Sequence, residues 1–165
     1  MGALYYMSKK LYGSFSNRFE ENHNYNDDHL IHEGDDITKY LWSDRTCYYV
    51  TRVIDQKHIF VKPYHVCADH HKEGGMGHQN WLYFKTCKEM HEYLNKCIDE
   101  GLIPCEKQNL DEIKEDHEEE WVFRYNKWKQ VIKTDYLGNP LPKPQYVDVG
   151  NISFGVRNYY YDWEF

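Results

Sequence analysis

No apolar run in this chain approaches the roughly 20 residues that a membrane-spanning helix needs, which argues against a membrane role. Basic charge is in deficit. The 20 Lys and Arg stand against 27 Asp and Glu, a net charge of -7, and this disfavours general binding to a nucleic-acid backbone. A local basic pocket remains open, because one or two well-placed arginines suffice for a small phosphorylated ligand. The opening MGALYYMSKK has no secretory apolar core. Tyr6 stands where a myristoylation signal wants Ser or Thr. Cysteines at paired CxxC spacing are missing. The five that occur are scattered and odd in number, the pattern of a cytosolic protein with free thiols. Neither a phosphate loop, a dinucleotide fingerprint, a nucleophile elbow nor a triad signature occurs. An enzyme is therefore the minority reading, and no cofactor is implied.

What the chain does have is tyrosine. Aromatics make up 17% of it and Tyr alone supplies 16 residues, against a mean hydropathy of -0.90. Disordered chains are poor in aromatics, so the composition describes a folded protein with a tyrosine-rich, amphipathic surface, suited to partners or planar ligands. Its 165 residues suit one domain over 1–165 with a core of its own.

The pattern along the chain predicts an α+β fold: a small twisted antiparallel β-sheet or barrel, built as a meander, with a helical insertion over roughly residues 86–120. Leu11–Phe19 reads as a short strand or turn and Asn22–Asp28 as loop. Ile37–Trp42, Thr46–Ile54 and His58–Tyr64 read as three strands joined by turns at Ser43-Asp44-Arg45 and Asp55-Gln56-Lys57. His65–Gln79, with Gly74, Gly75 and Gly77, reads as loop, and Asn80–Lys85 as a further strand. Thr86 and Glu89 form a capping box. Met90, Tyr93, Leu94 and Cys97 follow at helical spacing, and Gly101 suits the C-terminal cap. Asn109–Glu120 reads as a second, acidic helix with a solvated face. Trp121–Val131 reads as a hairpin about Asn126, and Thr134–Val149, with Pro140, Pro142 and Pro144, as an extended connector. In the terminal NISFGVRNYYYDWEF, Ile152, Phe154 and Val156 alternate with Ser153, Gly155 and Arg157, a strand with one apolar and one polar face.

Two constellations bear on chemistry. Cys67, His70, His71, His78, Cys87 and His91 are residue types that zinc prefers, and His91 stands one helical turn after Cys87. Their spacing matches no standard zinc motif, and ten histidines in a polar chain will cluster somewhere. The sharper constellation is three arginines with aromatic neighbours: Arg45 near Trp42, Arg124 beside Tyr125 and Asn126, and Arg157 near Phe154 and Tyr159. Guanidinium binds phosphate in bidentate fashion and flat rings stack on bases. Convergence of the three would make a pocket for a small anionic, ring-bearing ligand.

Three segments, LYGSFSNRF at 11–19, GDDITKYLWSDRTCYYVTRVIDQKHIFVKP at 34–63 and NISFGVRNYYYDWEF at 151–165, resemble a family of small bacteriophage proteins. The SDR and GVRxYYYDxxF patterns carry the likeness, which is similar to that of the Thoeris anti-defence sponge proteins. The resemblance implies a β-rich oligomer in the host bacterial cytoplasm that sequesters a cyclic ADP-ribose or other cyclic nucleotide immune signal without cleaving it. It implies ligand pockets formed between protomers, with Arg45 and Arg157 as phosphate contacts, Asn126 bonding ribose or base, and Trp42, Phe123 or Tyr125 stacking. Arg124 and Phe154 complete the expected ligand-binding set. Residues 65–120 have no counterpart in that likeness. The competing reading is a protein inhibitor of anti-CRISPR type, whose acidic Asp111–Glu120 surface would block a nucleic-acid channel.

Overall fold

Alternating apolar and polar residues make strands the main regular element of the chain. The structure is a computed structural model that describes residues 30–72 and 80–161. The readings at Leu11–Phe19, Asn22–Asp28, the loop glycines and His78 lie outside the described residues. Within them run β1 (Asp36–Tyr40), β2 (Arg45–Asp55), β3 (His58–Pro63), β4 (His65–Ala68), β5 (Trp81–Phe84), α1 (Cys87–Asp99), β6 (Glu119–Arg124), β7 (Lys127–Thr134), β8 (Pro140–Asp148) and β9 (Asn151–Phe154). No helix among the described residues is long and apolar enough to cross a membrane.

Seven strands form one sheet in the order β8-β7-β6-β3-β2-β1-β9, with every neighbouring pair antiparallel. The meander expected for β1 to β3 is there, and so is the antiparallel sheet with a helix. The sheet curls but does not close into a hydrogen-bonded barrel among the described residues. Its curl follows from connectivity. Asp148 and Asn151 belong to strands at opposite edges, yet three Cα steps of ~3.8 Å let them lie no more than about 11 Å apart. Six strand spacings of ~4.8 Å would separate the edges of a flat sheet by about 29 Å. Packing across the gap agrees, since the rings of Trp128 on β7 and Phe154 on β9 stand 5.6 Å apart.

The inner face holds the core. Ile37, Val50, Ile59, Val61 and Trp121 are buried there, completed by Ile31, Val149 and Ile152. The outer face around β1 and β2 carries the opposite parity: Thr38, Tyr40, Arg45, Cys47 and, on β9, Ser153, all buried.

Between β3 and β6 the chain makes the β4–β5 hairpin and α1, which packs against both strands and against a 3-10 turn at Leu110–Glu112. The helix starts where its capping box predicts: the Glu89 N–H donates to Thr86 Oγ1 at 3.1 Å. Its end is followed by Gly101 at φ +76, the left-handed conformation that closes a helix. Thr86→Ala removes that acceptor, and a loss of about 1 kcal/mol in urea-unfolding stability is expected. An unchanged midpoint would mean the cap carries no weight.

Three expectations need correction. His65–Gln79 is not all loop, because its first four residues pair as β4 with Trp81–Phe84, a partner beyond the glycines and invisible to a local pattern. Asn109–Glu120 is not a helix. Asn109 caps one 3-10 turn, and the glutamate run then lies extended and leads into β6, held by cross-strand partners. Arg52 reaches Glu118 at 2.8 Å, while His58 and Lys133 take Glu120 at 3.2 and 3.0 Å. The helical part of the insertion therefore ends at Asp99 apart from that single turn. Thr134–Val149 is a hairpin loop and then a full strand. The Val149 N–H donates to the Trp128 carbonyl, so in the regular register that ends at Ile132–Gln145 the odd-numbered backbone N–H groups point to β7 and Pro144 turns its missing donor to the open edge, while Pro140 and Pro142 lie where the register shifts. Proline at an edge also blocks pairing with another chain.

Candidate functional site

The polar side of the terminal segment is built by one glycine. The strand predicted through Val156 and Arg157 stops at Phe154, because Gly155 takes φ +78 and turns the chain out of the sheet. Its N–H still donates to the Asp36 carbonyl at 2.8 Å. Residues 155–161 then cross the outer face as a strap. Thr38, fully buried, fastens it twice: its hydroxyl donates to the Val156 carbonyl at 2.7 Å and accepts from the Asn158 N–H at 3.1 Å. Tyr83 accepts from the Tyr159 N–H at 2.8 Å, and Arg45 and Tyr160 exchange backbone hydrogen bonds.

The strap sets Arg157 against two tyrosines, its guanidinium carbon 4.3 Å from the Tyr83 ring centre and 5.2 Å from that of Tyr64. Such stacking favours a cation over an aromatic face. The side chain is exposed and has no carboxylate partner among the described residues. Tyr64 links it to the sheet, because the phenol donates to Asp36 Oδ1 at 2.5 Å. Burial first, then that bond to Asp36, push the Tyr64 phenol up to about 12, against the opposing pull of Arg157. Beside Tyr64 opens a cleft of about 300 Å³. Tyr64 and Tyr159 give it aromatic walls, Met90 of α1 and Val66 close one side, and the Thr46–Tyr48 segment and His65 line the rest. His65 is paired with Asp116. Burial raises the Cys47 thiol to about 11, so it stays protonated at neutral pH and is a poor nucleophile.

The expected ligand residues are distributed over several places. Arg45 is buried beneath the strap, 5.3 Å from the Tyr160 ring centre, on the same face as Arg157. Arg124 is exposed beside the β6–β7 turn and stacks on Tyr146 of β8 at 4.7 Å, away from the cleft. Asn126 and Tyr125, at φ 60 and 52, form the two-residue turn itself, a left-handed conformation that Asn tolerates. Phe123 and Phe154 flank Trp128 at 5.5 and 5.6 Å and belong to the packing of the sheet's inner face. Trp42 projects from the β1–β2 turn, 71% exposed, and lines a different cleft. Sequence reasoning missed Tyr64, Tyr83 and Thr38. Their types carry no signal, and only the strap's path makes them neighbours of Arg157.

The His and Cys constellation is also dispersed. Cys67 lies on β4, its thiol pushed up to about 11 by burial. The His71 ring meets Glu100 at 2.8 Å and the Tyr93 hydroxyl at 3.3 Å, while the His70 backbone N–H donates to the same hydroxyl. Cys87 and His91 sit one turn apart on α1. Among the described residues no three His, Cys, Asp or Glu side chains gather where they would hold a metal ion.

No protein-family model, curated protein or solved structure matches the chain. Geometry and the quoted sequence patterns therefore carry the functional argument.

Proposed function

We propose that this protein binds a small anionic, ring-bearing ligand at the strap cleft and holds it without converting it. Exposed Arg157, laid on Tyr64 and Tyr83 beside an aromatic-walled cleft and with no carboxylate partner among the described residues, carries this reading. The guanidinium offers charge-assisted hydrogen bonds to a phosphate, and the tyrosines offer faces to a ring. Binding of this kind needs affinity but no fit to a transition state. The protonated Cys47 thiol suits retention better than attack.

The resemblance to phage anti-defence proteins gives the ligand a class: a cyclic nucleotide-type immune signal, cyclic ADP-ribose among them, sequestered in the bacterial host cytoplasm. A cleft of about 300 Å³ stands at the lower end of the range for small-molecule sites. It takes one ring and a phosphate, and a whole cyclic ADP-ribose would need further walls from a second copy, consistent with a homo-oligomer. In the competing inhibitor reading, Glu118, Glu119 and Glu120 also engage partners within the fold, while Asp111, Glu112, Glu115 and Asp116 stay exposed.

Calorimetric titration with cyclic ADP-ribose tests the proposal, followed by mass spectrometry of the ligand recovered on heating. Intact ligand is expected. Arg157→Ala should weaken binding about tenfold to a hundredfold, the worth of one charge-assisted bond. A cleaved product would make the protein an enzyme, and unaltered affinity in the variant would remove Arg157 from the site.

A further inference from the structure

A second cleft, of about 210 Å³, lies at the β1–β2 turn, lined by Lys39, Tyr40, Leu41, Trp42 and the Val149–Asn151 backbone segment that joins the two sheet edges. Two of its residues are unusual in the same direction. Trp42 is 71% exposed on a turn that needs no aromatic: the Leu41 N–H already closes it on the Asp44 carbonyl at 2.9 Å. Lys39 is half-buried on β1, yet its ammonium has no carboxylate or other hydrogen-bond partner among the described residues. Lys129, about as buried, pairs with Asp148 at 2.8 Å, and the more exposed Lys133 pairs with Glu120. In a chain of net charge -7, a part-buried ammonium with no carboxylate partner among the described residues is suited to an external anion.

We infer that this cleft is a binding site for a single planar ring carrying one anionic group, with Trp42 stacking on the ring and Lys39 pairing with the anion. The cation serving Trp42 is thus Lys39 and not Arg45, whose side chain turns under Tyr160 on the outer face. The volume admits one planar base with its anionic group at the open mouth and excludes a dinucleotide. The site is separate from the strap cleft and does not rest on the function proposed there.

The test uses the full chain with 5′-AMP, adenosine and ribose 5-phosphate as probes, followed by calorimetry and by the NMR shift of the Trp42 indole N–H. AMP should bind and move that resonance. Lys39→Gln should weaken AMP about tenfold while leaving adenosine unchanged, and Trp42→Ala should weaken both AMP and adenosine about tenfold. Ribose 5-phosphate should bind more weakly than AMP. An AMP affinity that survives both variants and falls in Arg157→Ala would put the ligand in the strap cleft and overturn this inference while keeping the proposed function. An unmoved Trp42 resonance with AMP at millimolar concentration would overturn it as well. The variants fold independently of the outcome if their unfolding midpoints match the parent, and matched adenosine binding by Lys39→Gln gives a second control.

Discussion

Trp121→Ala should lower the stability of the protein by about 3–5 kcal/mol, the range for removing a fully buried large aromatic. Trp121 is 0% exposed on β6, next to the centre of the sheet, with Tyr48 packed on it at 5.1 Å. Its indole N–H donates to Glu119 Oε2 at 3.0 Å, so the ring is anchored as well as enclosed. Among the described residues the inner face packs mainly on itself, with Ile31 and Val149 completing it, so little is placed to shift into the void. A domain's total stability of about 5–15 kcal/mol leaves little margin for such a loss. Urea unfolding followed by circular dichroism measures it, with Trp121→Phe as the partner variant. The phenylalanine should cost clearly less, because it keeps a ring and gives up only volume and the hydrogen bond. A deficit under 1 kcal/mol for the alanine would mean that the inner face is not the core.

The prominence of Trp121 was only half legible in the sequence. Its strand was: WVFRY–NKWKQV reads as a hairpin, and the Tyr125-Asn126 turn takes the left-handed conformations such a turn requires. The β1–β2–β3 meander and the start of α1 were legible for the same reason, since alternation, turn residues and a capping box are all local signals. The misread stretches have a common cause. β4 pairs with a strand some fifteen residues away, β8 uses prolines that are harmless only at an edge, and Glu118–Glu120 is extended because Arg52, His58 and Lys133 come from other strands. Local pattern cannot see a partner that the fold supplies.

Much the same divides the candidate site. Gly155 and Arg157 drew attention as a glycine beside a polar-face arginine, and the glycine does redirect the chain. What it redirects the chain towards was not legible. Arg45, Arg124 and Arg157 looked equivalent because each has an aromatic neighbour in sequence. In space their aromatic partners are Tyr160, Tyr146 and the Tyr64–Tyr83 pair, and of the three only Arg45 and Arg157 meet the strap or belong to it.

Thr38→Val should detach the strap while leaving the sheet standing. The substitution keeps the branched shape in a site of 0% exposure but removes the hydroxyl that serves both Val156 and Asn158. Losing it leaves a carbonyl and an N–H in part-buried surroundings without their partner, at about 1–3 kcal/mol each. The sheet ladder around Thr38 is made by backbone groups that valine retains, so the penalty falls on residues 155–161. A summed penalty of about 2–6 kcal/mol raises the population of strap-open molecules by roughly thirtyfold to more than ten-thousandfold. Hydrogen exchange should therefore quicken at the amides of 156–160, well beyond any change at β2 and β3. Because Arg157 reaches Tyr64 and Tyr83 only while the strap is down, Thr38→Val should weaken ligand binding at least as much as Arg157→Ala. Thr38→Ser, which keeps the hydroxyl, should restore both exchange and binding. Uniform acceleration across the whole sheet would instead show that the strap and the sheet unfold as one unit, and binding that is indifferent to strap opening would separate Arg157 from the ligand.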